Sequence, residues 1–171
     1  MHGFARTIPR VVELEDPADR YMEIIQAATV QLGELLDELS LVARIEGRRY
    51  EPTFMDRDSL QLAAVAAERL GEERVAVSGA GGSVRVDPDA TERAITALAR
   101  CALRHGGLER VTVEADGAEV RISPITASAA PVVVGVDLRD LGAAVAVRLV
   151  RALGGDVGLD AGTLHVRLPG P

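Results

Sequence analysis

Three histidines (His2, His105 and His165), one cysteine (Cys101) and 26 acidic residues are the side chains of this 171-residue chain that could move protons or hold a metal. Lysine and asparagine do not occur, so the 19 basic residues are all arginines. A Walker-type phosphate loop needs a Lys after its glycines, so the run Gly79 to Gly82 (GAGG) is not one and reads as a hairpin turn. A single cysteine makes no intrachain disulfide, and no CxxC or His/Cys cluster is visible to hold zinc, so no metal is expected. Cys101 falls on one helical face with Ile95 and Leu98, where a thiol behaves as a small buried apolar group. Asp37-Glu38 and Glu13-Glu15-Asp16 read as solvated helix faces, and His165 alternates with Val166 on a terminal strand. No nucleophile, base and orienting group assemble from these residues, so no catalytic set is expected.

Composition narrows the partners. Hydrophobic residues make up 47% of the chain, enough for a packed core, while aromatics are only 2%, so that core must be aliphatic. Few aromatics and a net charge of −7 argue against nucleic acid, which needs stacking platforms or a basic face. No apolar run is long enough to cross a membrane, and MHGFARTIPR carries no apolar signal core, so a reduced, cytoplasmic protein is expected.

The elements that must position these residues follow from periodicity and caps. From Pro17 to Glu46, Tyr21, Ile25, Ala28, Leu32, Leu35, Leu39 and Val42 alternate spacings of four and three, a heptad seam widened by Ile24, Leu36 and Ala43. Asp16-Pro17 starts this helix and Gly47 stops it. His2 to Leu14 forms a shorter apolar pattern that a turn at Glu15-Asp16 folds back antiparallel. The short arm cannot cover the long one, so a homodimer is expected, its paired hairpins forming a four-helix bundle over that seam. Residues 1–50 are therefore read as a dimerisation hairpin and 51–171 as an α+β domain. In the second part the expected order is an extended piece (Pro52 to Met55) and a helix Ser59 to Leu70 capped by Asp58. Strands Arg74 to Ser78 and Ser83 to Val86 and a helix from Asp87-Pro88 to His105-Gly106-Gly107 come next. A hairpin turning at Asp116-Gly117 follows, then Pro124 to Asp137 without clear period. A helix Leu138 to Leu153 and a hairpin around Asp160-Ala161-Gly162 close the chain.

In this order the segments resemble the core of bacterial sensor histidine kinases, a helical-hairpin dimerisation domain followed by an ATP-binding domain of the Bergerat (GHKL) type. Gln31 to Arg48 (QLGELLDELSLVARIEGR) is similar to the family's LLxxLLDLSRIEAG, and Val86 to His105 (VDPDATERAITALARCALRH) to VDPxxLxxALxNLLxNALKH. Asp140 to Pro169 is similar to the closing GLGLAIVRRLVEAHGGxIxVxSxxGxGTxFxVxLP. The resemblance covers almost the whole chain. It implies a mixed sheet with helices on one face.

The same resemblance implies that the chemistry is missing. Gly3 to Arg6 (GFAR) resembles a run found about ten residues after the family's phosphoacceptor His, which places the acceptor upstream of Met1; His2 is not placed to replace it. Cys101 stands where the family has its Mg²⁺-holding Asn, and a neutral thiol is a poor ligand for that hard ion. Arg104 and His105 fill the basic positions that follow it; they could face a phosphate or simply favour the helix C-terminus. Ser123, followed by Pro124, replaces the adenine-reading Asp turn, and Arg139-Asp140-Leu141-Gly142 replaces the phosphate-binding glycine run. Only Gly142 survives there, and Asp140 sets a carboxylate where a helix N-terminus would receive phosphates. Cys101, Arg104, His105, Ser123, Asp140, Leu141 and Gly142 are thus the positions of a degenerate nucleotide pocket, with neither ATP nor Mg²⁺ expected unless that pocket functions. The implied function is a non-catalytic regulatory or scaffold dimer (a pseudokinase) whose partner is a response-regulator receiver domain or another histidine kinase. The alternatives are a histidine phosphotransferase, a kinase fragment whose acceptor lies upstream of Met1, and an ATP-binding regulator of the anti-sigma kind.

Overall fold

Capping chemistry decides where the helices begin. The computed structural model describes residues 18–171, and the expected first arm from His2 to Leu14, its turn, His2 itself and the Asp16-Pro17 helix start lie outside the described residues. The contacts of the chain cluster into two units, one through Leu41 and one from Val42.

In the first unit the heptad pattern forms one helix, α1 (Ala18–Glu46), of 29 residues. Its apolar seam is exposed: Tyr21, Ile25, Leu32, Leu35 and Leu39 are exposed, with Leu32 at 60%, and Ala28 is exposed with them. Ile24 and Leu36, which widen the stripe, are exposed too. The last turn of α1 falls in the second unit, where Val42 is half-buried, Glu46 pairs with Arg148, and the Arg44 guanidinium lies 5.8 Å from the centre of the Tyr50 ring. No helix among the described residues is long and apolar enough to cross a membrane.

The second unit continues with β1 (Met55–Asp58), α2 (Ser59–Leu70), β2 (Val75–Gly81), β3 (Ser83–Val86), α3 (Pro88–Gly106), β4 (Val111–Gly117) and β5 (Glu119–Ser123). A one-turn α4 (Ala130–Val133), then α5 (Leu141–Ala152), β6 (Asp156–Asp160) and β7 (Thr163–Arg167) complete it. The architecture is α+β, as expected. A five-stranded mixed sheet runs β2-β4-β5-β7-β6, with only β2 and β4 parallel, and β1 and β3 form a separate antiparallel pair. The alternation is clean. Val111, Val113, Ala115, Val120, Ile122, Leu164 and Val166 are buried on one face with the inner stripes of α2, α3 and α5, while Glu114, Arg121, Glu119, His165 and Arg167 share an ion-pair network on the other. Each buried Leu or Val contributes about 1.5–3 kcal/mol relative to exposure.

Three aspartates start the three long helices of this unit. The Asp58 side chain accepts from the amides of Leu60 and Gln61, that of Asp87 from Ala90, and that of Asp140 from Ala143. Gly107 ends α3 in the left-handed region (φ 62°). Four expectations are corrected. The GAGG run is not a hairpin turn: β2 extends through Gly79 to Gly81 alongside β4, and the chain changes sheets at Gly82. A Cβ on Gly79 would lie 2.0 Å from the Ala115 carbonyl oxygen, so close strand approach is what this glycine provides. The extended piece before α2 becomes a strand only from Met55, where β3 offers a partner. The β4–β5 turn centres on Gly117 and Ala118, one residue later than Asp116-Gly117, because Asp116 pairs with Glu119. The last helix begins at Leu141, since Asp140 satisfies the amide of Ala143 and fixes the start there.

Candidate functional site

The expected pocket residues gather where α3 ends and α5 begins. Successive positions four apart put Cys101 and His105 on one face of α3. Asp140, as the cap of α5, is held by the amide of Ala143 on Oδ1 at 3.0 Å, which aims Oδ2 toward α3. There Oδ2 meets the His105 Nε2 at 3.1 Å, an N–H that donates to the carboxylate. Both side chains are largely enclosed, 14% and 13% exposed, and Cys101 is fully buried beside them. One ligating atom from each of Cys101, His105 and Asp140 lies within 4.8 Å of the others. The sequence shows no His/Cys cluster because its third member is distant in the chain; the i, i+4 pair on α3 is the signal that could have pointed to it.

Electrostatics keep this thiol protonated. Burial, then the neighbouring Asp140 carboxylate, push the Cys101 thiol up to about 12, with Arg104 and Arg139 only partly offsetting them. In the ion-free chain Cys101 therefore rests as a buried thiol. His105 turns toward Asp140, and its backbone carbonyl accepts from the Ser128 hydroxyl at 2.9 Å, which ties the loop after β5 to the end of α3. Arg104 is exposed. Leu141 and Gly142, both half-buried, open α5, so the surviving glycine sits in the first turn behind the Asp140 carboxylate. Ser123 closes β5 opposite Thr112 and is not part of the Cys101–His105–Asp140 cluster.

The segment between the two motifs is filled from within. Ala129, Val132 and Val133, around and in α4, are fully buried, and α4 packs against both α3 and α5. Gly135 (φ 72°) comes so close to α5 that an added Cβ would lie 3.3 Å from the Ala144 Cα. Two open clefts lie elsewhere. One of about 280 Å³ is lined by Asp156, Asp160, His165 and Arg167 on the β6–β7 hairpin, and one of about 370 Å³ by Glu68, Glu72 and Arg110 near the start of β2.

No family model and no curated protein matches the sequence. Solved structures do. The histidine kinase AdeS of Acinetobacter baumannii superposes with a TM-score of 0.67 at 14% identity, over 92% of this chain and 87% of that one. Full-length ShkA, solved in complex with AMPPNP, superposes with a TM-score of 0.75 at 21% identity over 98% of this chain, which spans 42% of the ShkA chain. The ATP-binding domain of PrrB from Mycobacterium tuberculosis superposes at 0.55 and 22% identity over 69% of this chain and 98% of that domain. The fold is that of a sensor histidine kinase core with its ATP-binding domain.

Proposed function

We propose that this chain is a two-component signalling protein of histidine-kinase type that works in the cytoplasm as a dimeric, non-catalytic scaffold. The observation that carries the reading is Asp140. Its carboxylate occupies the N-terminus of α5, bonded to the Ala143 amide and to His105. A helix start of this kind would otherwise offer free amides and a positive dipole end to a polyphosphate. A fixed carboxylate takes one of those amides and repels phosphate. Two features support the same reading: Pro124 removes a backbone donor just after β5, and the buried apolar residues of α4 fill the space beside α5. The exposed seam of α1 suits a second copy, forming a four-helix bundle, and the partner class is a response-regulator receiver domain or another histidine kinase. The resemblance supplies that partner class.

The test is thermal denaturation of the full chain with ATP and ADP, each with Mg²⁺, up to millimolar concentration, checked by calorimetric titration. A ligand at 100 times its Kd adds about 2.7 kcal/mol, which raises Tm by about 5–11 °C in a chain of this size. The expected result is no shift. A Mg²⁺-dependent shift overturns the scaffold reading in favour of an active kinase fragment or an ATP-binding regulator of the anti-sigma kind.

A further inference from the structure

We propose that Cys101, His105 and Asp140 form a three-ligand site for a thiophilic divalent cation of the Zn²⁺ class, clamping the end of α3 to the start of α5. The site shares Asp140 with the scaffold reading, but its test reads metal and not nucleotide, so its failure would leave that reading untouched.

The donor set is mixed. A thiolate, an imidazole and a carboxylate together select Zn²⁺ or Co²⁺ over Mg²⁺, which takes oxygen ligands and keeps its waters. The geometry is near what such an ion needs. Tetrahedral bonds of roughly 2.0–2.3 Å place donor atoms about 3.3–3.6 Å apart. The His105 and Asp140 atoms already lie 3.1 Å apart, and all three donors fall within 4.8 Å, so the remaining adjustment is about 1 Å of side-chain movement.

The donors are held in place before any ion arrives. The Ala143 amide fixes the Asp140 carboxylate through Oδ1 and leaves Oδ2, which faces His105, to ligate. Cys101 and His105 project from one face of an α-helix, and the Ser128 hydroxyl bonded to the His105 carbonyl braces the last turn. Supporting hydrogen bonds of this kind orient metal ligands.

Charge balances as well. The thiol proton passes to solvent as the ion enters, the His105 proton moves from Nε2 to Nδ1 so that Nε2 can ligate, and thiolate plus carboxylate then neutralise a divalent cation. Arg104 and Arg139, the cations felt at Cys101, favour the thiolate and act against the incoming ion. Three protein ligands leave a fourth position for water or for a group from a partner, and the slight exposure of His105 and Asp140 gives the ion its path in.

The experiment titrates chelator-treated full-length protein with Co²⁺. We expect one equivalent per chain, the visible bands of a tetrahedral ion, a near-ultraviolet thiolate-to-cobalt band, and bleaching of both when Zn²⁺ is added. Cys101→Ser removes the thiolate band. His105→Gln and Asp140→Asn each weaken binding by more than the roughly 10- to 100-fold that loss of a merely supporting residue costs. Asn caps helices as well as Asp does, so Asp140→Asn keeps the start of α5 and separates lost ligation from lost folding. Melting of the metal-free variants controls for the others. No cobalt spectrum, a spectrum without the thiolate band, or affinity unchanged in both Asp140→Asn and His105→Gln would each overturn the site.

Discussion

Asp87 and Asp140 perform the same local task at the starts of α3 and α5, and they differ in what their second carboxylate oxygen meets. On Asp87, Oδ1 accepts the Ala90 amide at 3.1 Å and Oδ2 the Thr53 amide at 2.9 Å, so both oxygens are used by backbone. On Asp140, Oδ1 accepts the Ala143 amide at 3.0 Å, but Oδ2 meets a side chain, His105. The first carboxylate fastens the segment ahead of β1 to a helix. The second joins two helices through a side chain. A cap that is all backbone can only hold the fold, whereas a cap that faces imidazole and thiol can also be addressed by a ligand.

Substitutions at the two caps would break that distinction if it is misplaced. Asp140→Ala removes the cap and leaves the enclosed His105 imidazole without its partner, an expected cost of about 2 kcal/mol, or roughly 4–8 °C in Tm. Asp87→Ala should cost less, about 1 kcal/mol or roughly 2–4 °C, because Thr53 is exposed and its amide finds water. A larger loss at Asp87 than at Asp140 would mean that the His105 contact adds nothing to the cap. Asp140→Asn sharpens the point further. It keeps the cap and should move Tm by less than about 1 °C, and it should still show no shift with Mg²⁺-ATP, since the buried residues of α4 remain in place. Nucleotide binding gained by that one change would show that the carboxylate alone closes the pocket.

The two caps also mark what the sequence makes legible. Asp58 before Ser59, Asp87-Pro88 and Gly107 are local signals, and the helices begin or end where those signals stand. The glycine run misleads because its partner is remote. Two β-branched segments around glycines resemble a hairpin, yet β2 pairs in parallel with β4, and Gly79 is needed for contact with Ala115. The cluster at the helix junction is half legible for the same reason. Cys101 and His105 are four residues apart on one helix, but Asp140 joins them from 35 residues beyond His105, and only the packing of α5 against α3 brings it there.

A second carboxylate–histidine pair, on the solvated face of the sheet, gives the smallest expected effect and a control for the first. Glu119 accepts from the His165 Nδ1 at 2.8 Å and is flanked by Arg121 and Arg167, with Asp116 and Glu114 sharing Arg121. Hydrogen bonds from His165 first, then Arg121 and Arg167, hold its carboxyl down at about 2, against a modest opposing effect of burial. Because the folded value lies below the ordinary 4.5, the ionised network stabilises the fold above pH 4.5, and that contribution is lost as pH falls from 4.5 toward 2. Solvent screening limits it to about 1 kcal/mol or less. Glu119→Gln should therefore lower Tm by no more than roughly 2–4 °C at pH 7, and the gap to the parent chain should close as the melts are repeated at falling pH. A gap that stayed constant down to pH 2 would assign the loss to packing rather than charge. It would also remove this pair as a solvated reference for the enclosed His105–Asp140 pair.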